Sequence, residues 1–311
     1  MNAIIIIAGP TGSGKTAVAV ELAKKINGEI ISADSRQVYR YLDIGTNKEG
    51  TLDQKTGLRM AGGIAQRLTD VIEPSEIFSA GEFVKQAGES IRKIRNSKKL
   101  PIIAGGTGLY IKALVDGLAE LPEQDAVIRA KLQAGLSSRG KEHLYERLKT
   151  IDPQAAEKNK GNPQRLIRAL EVYELTGIPI SALHKNTKPS SEKFIQFGLL
   201  WEREELYGRV DARSRKMLES GMIEETKRAV AMGFKEDCPG LQGLGYRRVI
   251  DFLKSITDRT ELVSGLQQDN RNYAKRQITW FRKDNRINWI HTSEKQFSAV
   301  NIANRIADMV E

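Results

Sequence analysis

Cysteine, long apolar runs and internal repeats are rare or absent in this sequence, and each absence excludes a class of protein. The single cysteine, Cys238, rules out an intrachain disulfide and suits a reducing compartment. No apolar stretch approaches the ~18 residues that a membrane-spanning helix needs. Met1-Asn2 leads directly into an apolar run, without the basic segment or the cleavage site of a secretory leader. We therefore expect a soluble, cytoplasmic protein.

Acidic residues are fewer than basic ones, since 39 Asp+Glu stand against 49 Lys+Arg, for a net charge of +10. An excess of this size is common among enzymes, so it makes nucleic acid a candidate partner without selecting it. A chain of 311 residues suggests about two domains. Nothing in the sequence requires more than a monomer.

A complete phosphate-binding loop pattern stands near the amino terminus. The pattern G-x-x-x-x-G-K-[ST] is met by eight consecutive residues, Gly9, Pro10, Thr11, Gly12, Ser13, Gly14, Lys15 and Thr16. An apolar run precedes the loop and a helical pattern follows it, a setting that aims backbone N–H groups at an anion. The pattern predicts a polyphosphate site in which the Lys15 ammonium reaches phosphate oxygens and the Thr16 hydroxyl holds Mg²⁺.

The first third of the chain alternates strand and helix patterns, as a parallel sheet requires. Three apolar runs predict strands, at 4–8, 29–32 and 101–104. A capping box that begins at Ser79 predicts a helix before the third strand. Because functional groups collect at the carboxyl ends of such strands, we expect one crevice surrounded by loops 9–16, 34–37 and 105–110.

The pattern changes in the middle of the chain. Residues 117–193 have the pattern of helices with polar connectors, and strand character returns only at 194–200. The remainder is mostly helical and ends in a long helical segment over 261–283. The sequence thus predicts an α/β fold, a P-loop NTPase-like parallel sheet core (1–116 and 194–311) with a helical insertion domain and a helical carboxyl-terminal part.

A second magnesium carboxylate, of the kind that P-loop ATPases use, is missing from its expected place. The best strand for it, 101–104, ends in Gly105-Gly106-Thr107-Gly108, which supplies no charge. Asp34 could serve the metal instead. Its neighbours Ser35, Arg36 and Gln37 add donors and acceptors that suit the edge of a nucleobase. Asp34-Ser35 is also typical of a turn or a helix N-cap.

Cations and aromatic residues alternate late in the chain, over 272–283. Between Gly265 and Ile290 there are six Lys+Arg and two Asp. Such a mixture suits RNA phosphates and stacked bases. On composition alone, an amphipathic helix with Trp280 and Phe281 in the core and a solvated basic face is the favoured interpretation. The same two interpretations apply to segments 242–248 and 162–168.

These segments together resemble the tRNA dimethylallyltransferases, also called tRNA isopentenyltransferases. The resemblance runs nearly end to end, and its markers follow the family's order: 8–16, 31–39, 43–46, 101–112, 162–177, 243–247 and 274–281. The chain departs from the pattern at Gln66-Arg67-Leu68-Thr69-Asp70, where the family often has His-His-Leu-Ile-Asp. We assign no role to that segment.

The resemblance implies transfer of a dimethylallyl group from dimethylallyl diphosphate to N6 of the adenosine on the 3′ side of the anticodon, with Mg²⁺. The phosphate loop would then hold the leaving diphosphate. Asp34 matches the family's base for the N6 proton, and Thr107 matches a threonine beside the reacting carbon. Lys15, Thr16 and Arg209 would stabilise charge on the departing diphosphate. Arg209 also fits a surface arginine of a helix.

The resemblance further implies that the target adenine leaves its stack to reach Asp34 and that the insertion clamps the anticodon stem-loop. The RNA contacts carried over are Asp34, Ser35, Arg36, Gln37, Gln164, Arg165, Gly245, Arg247, Lys275, Arg276 and Gln277. Two alternatives stay open, a P-loop nucleotide or small-molecule kinase and an RNA-binding module switched by a nucleotide. Asp34 and Thr107 follow the ends of two neighbouring strands, which argues against the RNA-binding module, because binding alone needs no base.

Overall fold

Unbroken apolar runs such as residues 4–7 are typical of strands buried on both faces of a parallel sheet. Such a sheet forms the centre of the computed structural model, which describes residues 3–243 and 245–310. Leu244, part of the 243–247 marker, therefore lies outside the described residues, as do Met1, Asn2 and Glu311. Contacts divide the chain into two units, 1–114 with 191–311 and 115–190. The sequence placed these divisions at 117 and 193.

The larger unit contains an eight-stranded sheet. In chain order its strands are β1 (Ile4–Ala8), β2 (Gly28–Ser32), β3 (Thr51–Leu52), β4 (Arg59–Ala61), β5 (Ile64–Arg67), β6 (Leu100–Gly105), β7 (Phe194–Trp201) and β8 (Ile287–Thr292). Their spatial order is β3-β4-β5-β2-β6-β1-β7-β8. All neighbours from β5 to β8 are parallel, and only the β3-β4-β5 meander is antiparallel.

Helices follow the strands in the order that the sequence pattern predicts. Those of the first part of the chain are α1 (Lys15–Ile26), α2 (Ala80–Asn96) and α3 (Gly108–Asp116). Those after β7 are α8 (Arg203–Glu219), α9 (Met222–Ala231), α10 (Tyr246–Leu253), α11 (Arg259–Phe281) and α12 (Ala299–Val310). The predicted cap of α2 is present, because the Ser79 hydroxyl accepts a hydrogen bond from the Glu82 N–H at 3.0 Å.

Apolar packing between the sheet and its flanking helices positions the phosphate loop. Ile5 and Ile7 of β1 belong to one buried cluster with Leu22 of α1 and Ile306 of α12. The two ends of the loop thus belong to elements that are anchored in the same core. Burial of these side chains fixes the start of α1 relative to the carboxyl end of β1.

The smaller unit is helical. Its helices are α4 (Ala126–Ile151), α5 (Pro153–Asn159), α6 (Pro163–Thr176) and α7 (Ile180–Lys185). Leu144, Leu166 and Leu170 lie at the centre of its own apolar cluster, and α4 is interrupted at Gly140, whose φ is 77°. No strand occurs among residues 115–190, as the sequence predicted. The predicted α/β class with a parallel sheet is confirmed.

Strands β3, β4, β5 and β8 were not predicted. The first three have only two to four residues each, too few to show an alternating pattern. In the part of the chain that the structure describes, none of the helices has both the length and the apolarity to cross a bilayer.

Candidate active site

The carboxyl ends of three neighbouring strands form one crevice. β2, β6 and β1 are adjacent in the sheet, and they are followed by Asp34, Thr107 and the phosphate loop respectively. The crevice is lined by Thr11, Lys15, Thr16, Asp34, Arg36, Gln37, Gly45, Thr46, Asn47, Ala104, Gly105, Arg213, Met217, Gly243, Tyr246, Asn270 and Tyr273. All three predicted loops contribute to it.

The phosphate loop has the conformation that its sequence predicts. Gly14 caps α1 with a φ of 86°, in the left-handed region that favours glycine. Ser13 Oγ and Lys15 Nζ both donate to the Pro10 carbonyl, each at 2.8 Å. Trp201 Nε1 donates to the Ser13 carbonyl at 3.0 Å, so β7 supports the loop from its other side.

Gln277 of α11 joins the phosphate loop to the loop that carries Thr107. Its Oε1 accepts from the Thr11 N–H at 2.8 Å, and its Nε2 donates to the Gly106 carbonyl at 2.8 Å. The sequence grouped Gln277 with the RNA contacts. Its side chain is 5% exposed and both ends of its amide are engaged, so here the amide holds two loops of the crevice together.

Two cations that line the crevice, Lys15 and Arg213, are buried with too little negative charge near them. Burial lowers the pKa of Lys15 to about 8, against the attraction of Asp34, and Arg213 lowers it further. Burial likewise lowers the pKa of Arg213 to about 10, although Asp34 and Glu49 favour its charge. One Arg213 terminal nitrogen donates to Thr11 Oγ1, but its Nε is buried and finds no hydrogen-bond partner among the described residues. Burial disfavours the charged forms of Lys15 and Arg213, and a bound anion would favour those charged forms again.

Arg209, the arginine selected from the sequence, lies one helical turn from Arg213 on α8. Its Nε donates to the Gly12 carbonyl at 3.0 Å, and its guanidinium lies 4.2 Å from the centre of the Trp201 ring. Arg209 thus supports the backbone of the phosphate loop, and Arg213 lines the crevice. The signal for Arg213 in the sequence was its spacing of four from Arg209, which puts both on one helix face.

Asp34 and Thr107 are each held by a hydrogen bond from a backbone N–H of the 34–37 segment. Asp34 Oδ1 accepts from the Arg36 N–H at 2.8 Å, the turn that its sequence favours, and its carboxylate still lines the crevice. Thr107 Oγ1 accepts from the Ser35 N–H at 2.9 Å and donates to Ser35 Oγ at 3.3 Å. Burial, with the nearby Asp34 carboxylate, raises the pKa of Tyr273 to about 12. Tyr273 therefore stays protonated at neutral pH.

The other two residues of the 34–37 segment are anchored within the protein. Arg36 donates to the Pro239 carbonyl at 3.1 Å. Gln37 Oε1 accepts from Ser32 Oγ at 3.0 Å, and its Nε2 donates to the Asn47 carbonyl at 3.1 Å. Both side chains line the crevice, and their bonds fix its wall.

The remaining predicted RNA contacts are at the surface, except for Gly245, which caps α10. Gln164 and Arg165 are exposed in the first turn of α6, within the smaller unit. Arg247 is exposed and paired with Asp251 at 3.2 Å. Lys275 and Arg276 are exposed on α11.

The segment 66–70 is part of a buried ionic network. Asp70 pairs with Lys48, whose side chain is fully buried, and with Arg59 at 2.9 Å. Lys48 and Arg59 also pair with Asp43, at 2.8 and 2.9 Å. This network supports the loop that lines the crevice at Gly45–Asn47, and no signal in the sequence indicated it.

The described residues contain no group of three or more His, Cys, Asp or Glu that could hold a metal ion. Thr16 and Asp34 line the same crevice and offer hard oxygen donors. Mg²⁺ commonly takes one or two such ligands and completes its octahedron with phosphate oxygens and water. The side chains present fit a Mg²⁺ that arrives with a polyphosphate.

Comparisons with known proteins cover nearly the whole chain. The family model described as "IPP transferase" matches residues 37–284, and one described as "Isopentenyl transferase" matches residues 2–59. Among curated relatives, a protein of Endomicrobium trichonymphae named tRNA dimethylallyltransferase is 47% identical over 90% of this chain and 91% of its own. Another of that name, from Acetivibrio thermocellus, is 42% identical over 94% of this chain and 93% of its own.

Solved structures give the same result. The full-length tRNA isopentenylpyrophosphate transferase from Bacillus halodurans matches with a TM-score of 0.70 and 36% identity, over 99% of this chain and 96% of that one. A eukaryotic dimethylallyltransferase acting on tRNA matches with a TM-score of 0.80 and 27% identity, over 100% of this chain and 80% of that one.

Proposed function

The chain belongs to the IPP transferase family, and from this premise we propose that it transfers a dimethylallyl group from dimethylallyl diphosphate to N6 of the adenosine on the 3′ side of the anticodon in tRNA. The relatives described above carry the names of tRNA dimethylallyltransferases and tRNA isopentenylpyrophosphate transferases. Those names favour this activity over a P-loop kinase.

The observation that carries the proposal is the pair of under-compensated cations beside the phosphate loop. Lys15 and Arg213 have lowered pKa values because they are buried with too little negative charge around them. A diphosphate supplies that charge. When the C–O bond of the prenyl diphosphate breaks, negative charge grows on the leaving oxygen, and cations already in place stabilise it without reorganising.

Asp34 supports the other half of the reaction. The N6 lone pair attacks the allylic carbon, the C–O bond to the diphosphate breaks, and the N6 proton passes to a carboxylate oxygen. Asp34 lines the crevice beside the phosphate loop, and its Oδ1 bond to the Arg36 N–H orients the carboxylate. In this role it is a general base.

Thr107 and Thr16 complete the proposed site. Thr107 Oγ1, bonded to the N–H and to the hydroxyl of Ser35, keeps a defined position between the base and the phosphate loop. The Thr16 hydroxyl and the diphosphate oxygens would hold Mg²⁺, which when bound neutralises charge on the leaving group. Gln277 keeps the two loops in register.

An assay with two labelled donors tests the proposal. The protein is incubated with tRNA and either dimethylallyl diphosphate labelled in the prenyl group or ATP labelled in the γ-phosphate. We expect prenyl label in the RNA and no phosphate label in any acceptor. Transfer of phosphate would support the kinase, and tRNA binding without either transfer would support the RNA-binding module.

The pKa of Lys15 gives the donor a pH dependence. The ammonium is charged below pH 8 and neutral above it, so the affinity of the free enzyme for the diphosphate falls as pH rises. We expect kcat/KM for dimethylallyl diphosphate to fall about tenfold between pH 7 and pH 9, since this parameter reports ionisations of the free enzyme. Lys15→Met should have a low kcat/KM without this inflection. An inflection of equal size in Lys15→Met would assign it to another group.

The exposed basic face of α11 is proposed to bind tRNA phosphates. Lys275→Ala with Arg276→Ala should weaken tRNA binding and reduce the slope of log Kd against log salt by about 1–2. The control is Lys24→Ala with Lys25→Ala, an equally exposed pair in the last turn of α1. Its tRNA titrations at two salt concentrations should match wild type. If both double variants give wild-type titrations, the basic face of α11 faces solvent and does not contact tRNA.

A further inference from the structure

Two markers of the family resemblance have no role in the proposed chemistry, the segments 43–46 and 243–247. In the described structure they meet at Glu225, a residue of α9 that no motif singled out. Glu225 is 2% exposed, and the described residues offer its carboxylate no cation. A buried carboxylate without a cation is costly unless hydrogen bonds satisfy its oxygens.

Four hydrogen bonds satisfy the Glu225 carboxylate. Its Oε2 accepts from the Asp43 N–H at 2.7 Å and the Ile44 N–H at 2.8 Å. Its Oε1 accepts from the Gly45 N–H at 3.0 Å and from the Tyr246 hydroxyl at 2.7 Å. Three consecutive backbone N–H groups thus converge on one anion, as they do in the anion-binding turns of many proteins.

The contact with Tyr246 explains why position 45 is glycine. A Cβ on Gly45 would lie 2.4 Å from Tyr246 Cζ and 2.6 Å from its hydroxyl. Burial, together with the Glu225 carboxylate, raises the pKa of Tyr246 well above its ordinary value, so the hydroxyl remains a donor. Glu225 therefore binds the 43–45 turn and the first residue of α10 at the same point.

The turn held by Glu225 leads directly into the wall of the crevice. Gly45, Thr46 and Asn47 line it, and so does Tyr246. The carbonyls of Thr46 and Asn47 accept from Gln37 Nε2 at 3.4 and 3.1 Å. A displacement of the turn would therefore move Gln37, three residues from the proposed base.

We propose that Glu225 is a positioning residue for the tRNA side of the crevice: its carboxylate joins the 43–47 turn to Tyr246 and thereby sets the wall against which the target adenine is held. The adenine part of this assignment rests on the proposed function, and the four hydrogen bonds do not. Glu225 is not among the residues that line the crevice. It acts through the backbone of the turn and through Gln37.

Hydrogen–deuterium exchange tests the positioning itself, without any substrate. Glu225→Gln keeps the size of the side chain but turns one acceptor into a donor that faces N–H or O–H groups. We expect the amides of residues 43–45 to exchange at least about tenfold faster in this variant than in wild type. Tyr246→Phe removes one of the four hydrogen bonds, so we expect a smaller increase in exchange at residues 43–45. This variant tests the proposal if Glu225→Gln does not fold.

Steady-state kinetics on the same proteins separate positioning from general loss of stability. We expect kcat/KM for tRNA to fall up to ~10²-fold in Glu225→Gln, with KM for dimethylallyl diphosphate unchanged. The control is Glu29→Gln, which removes a buried carboxylate at the opposite end of β2, paired with Arg67 and Lys99. It should lower the melting temperature and leave both kinetic parameters of the folded enzyme as in wild type.

The outcomes are distinguishable. Unchanged exchange at 43–45 in both variants overturns the assignment, and so does an equal loss for the two substrates. A wild-type protein that transfers no prenyl group overturns the proposed function instead. The exchange experiment then still decides whether Glu225 holds the turn.

Discussion

Asp34→Asn should lower kcat for prenyl transfer by ~10²–10⁴-fold while the protein still binds tRNA. A positioned general base contributes an acceleration of this size. The amide keeps an oxygen that can accept the Arg36 N–H bond, so the turn survives. Only the ability to take the N6 proton is lost. Single-turnover measurement of the modified RNA, together with a tRNA titration, checks both halves of this expectation.

The asparagine variant also separates the two interpretations of Asp34 that the sequence left open. A residue that serves only the turn would tolerate asparagine, which is itself common in such turns. Near-normal kcat in Asp34→Asn would therefore remove Asp34 as the base. A loss of tRNA binding in proportion to the loss of kcat would assign it to recognition.

Arg213→Ala should lower kcat/KM for dimethylallyl diphosphate by ~10²–10³-fold, the cost of removing one preorganised group from developing negative charge. Arg213 lines the crevice, and burial lowers its pKa to about 10. In residues 3–243 and 245–310 its Nε has no hydrogen-bond partner. Removing a poorly compensated cation should leave the fold intact. KM for tRNA should stay as in wild type.

Arg215→Ala is the matched control, because Arg215 is an exposed arginine two residues further along the same helix. It should behave as wild type in steady-state kinetics with either substrate. If Arg213→Ala is as active as Arg215→Ala, Arg213 does not act on the leaving group. Lys15 and the backbone of the loop would then carry that role alone.

The first strands and the phosphate loop could be predicted because their signals are local. Residues 4–7 form a continuous apolar run, and the spacing of Gly9, Gly14 and Lys15 defines the loop within eight residues. β8 was not predicted. Its burial alternates only in part, with Asn288 exposed between buried Ile287 and half-buried Trp289, and it pairs with β7 alone.

The α11 segment shows why composition could not separate its two interpretations. Phe281 is only 3% exposed, as in an amphipathic helix, whereas Trp280 is 38% exposed. Lys275 and Arg276 face outward as an RNA-binding face requires, and Gln277 faces inward to bridge two loops. A run of polar residues does not reveal which of them is the buried one, because that depends on the elements packed against the helix.

The roles of Arg213 and Glu225 could not have been assigned from the sequence alone. Arg213 meets Thr11 across 202 positions of the chain, and Glu225 meets Asp43 across 182. In the sequence Arg213 is marked only by its spacing of four from Arg209, and Glu225 stands in no recognisable pattern. Their roles come from the partners that folding brings to them. The resemblance supplied the residues that are predicted to contact substrates, and the fold adds Arg213 beside the phosphate loop and Glu225 behind the 43–47 turn.

The identity of the product tests the central claim, that the phosphate loop grips a leaving diphosphate, most directly. The protein is incubated with dimethylallyl diphosphate, Mg²⁺ and an anticodon stem-loop RNA, and with a matched RNA that has guanosine in place of the target adenosine. Nucleosides are then identified by mass spectrometry and released diphosphate is measured. We expect one diphosphate for each N6-dimethylallyl adenosine, and neither product with the guanosine RNA. Release of diphosphate without modified adenosine, or modification of both RNAs, would contradict this account.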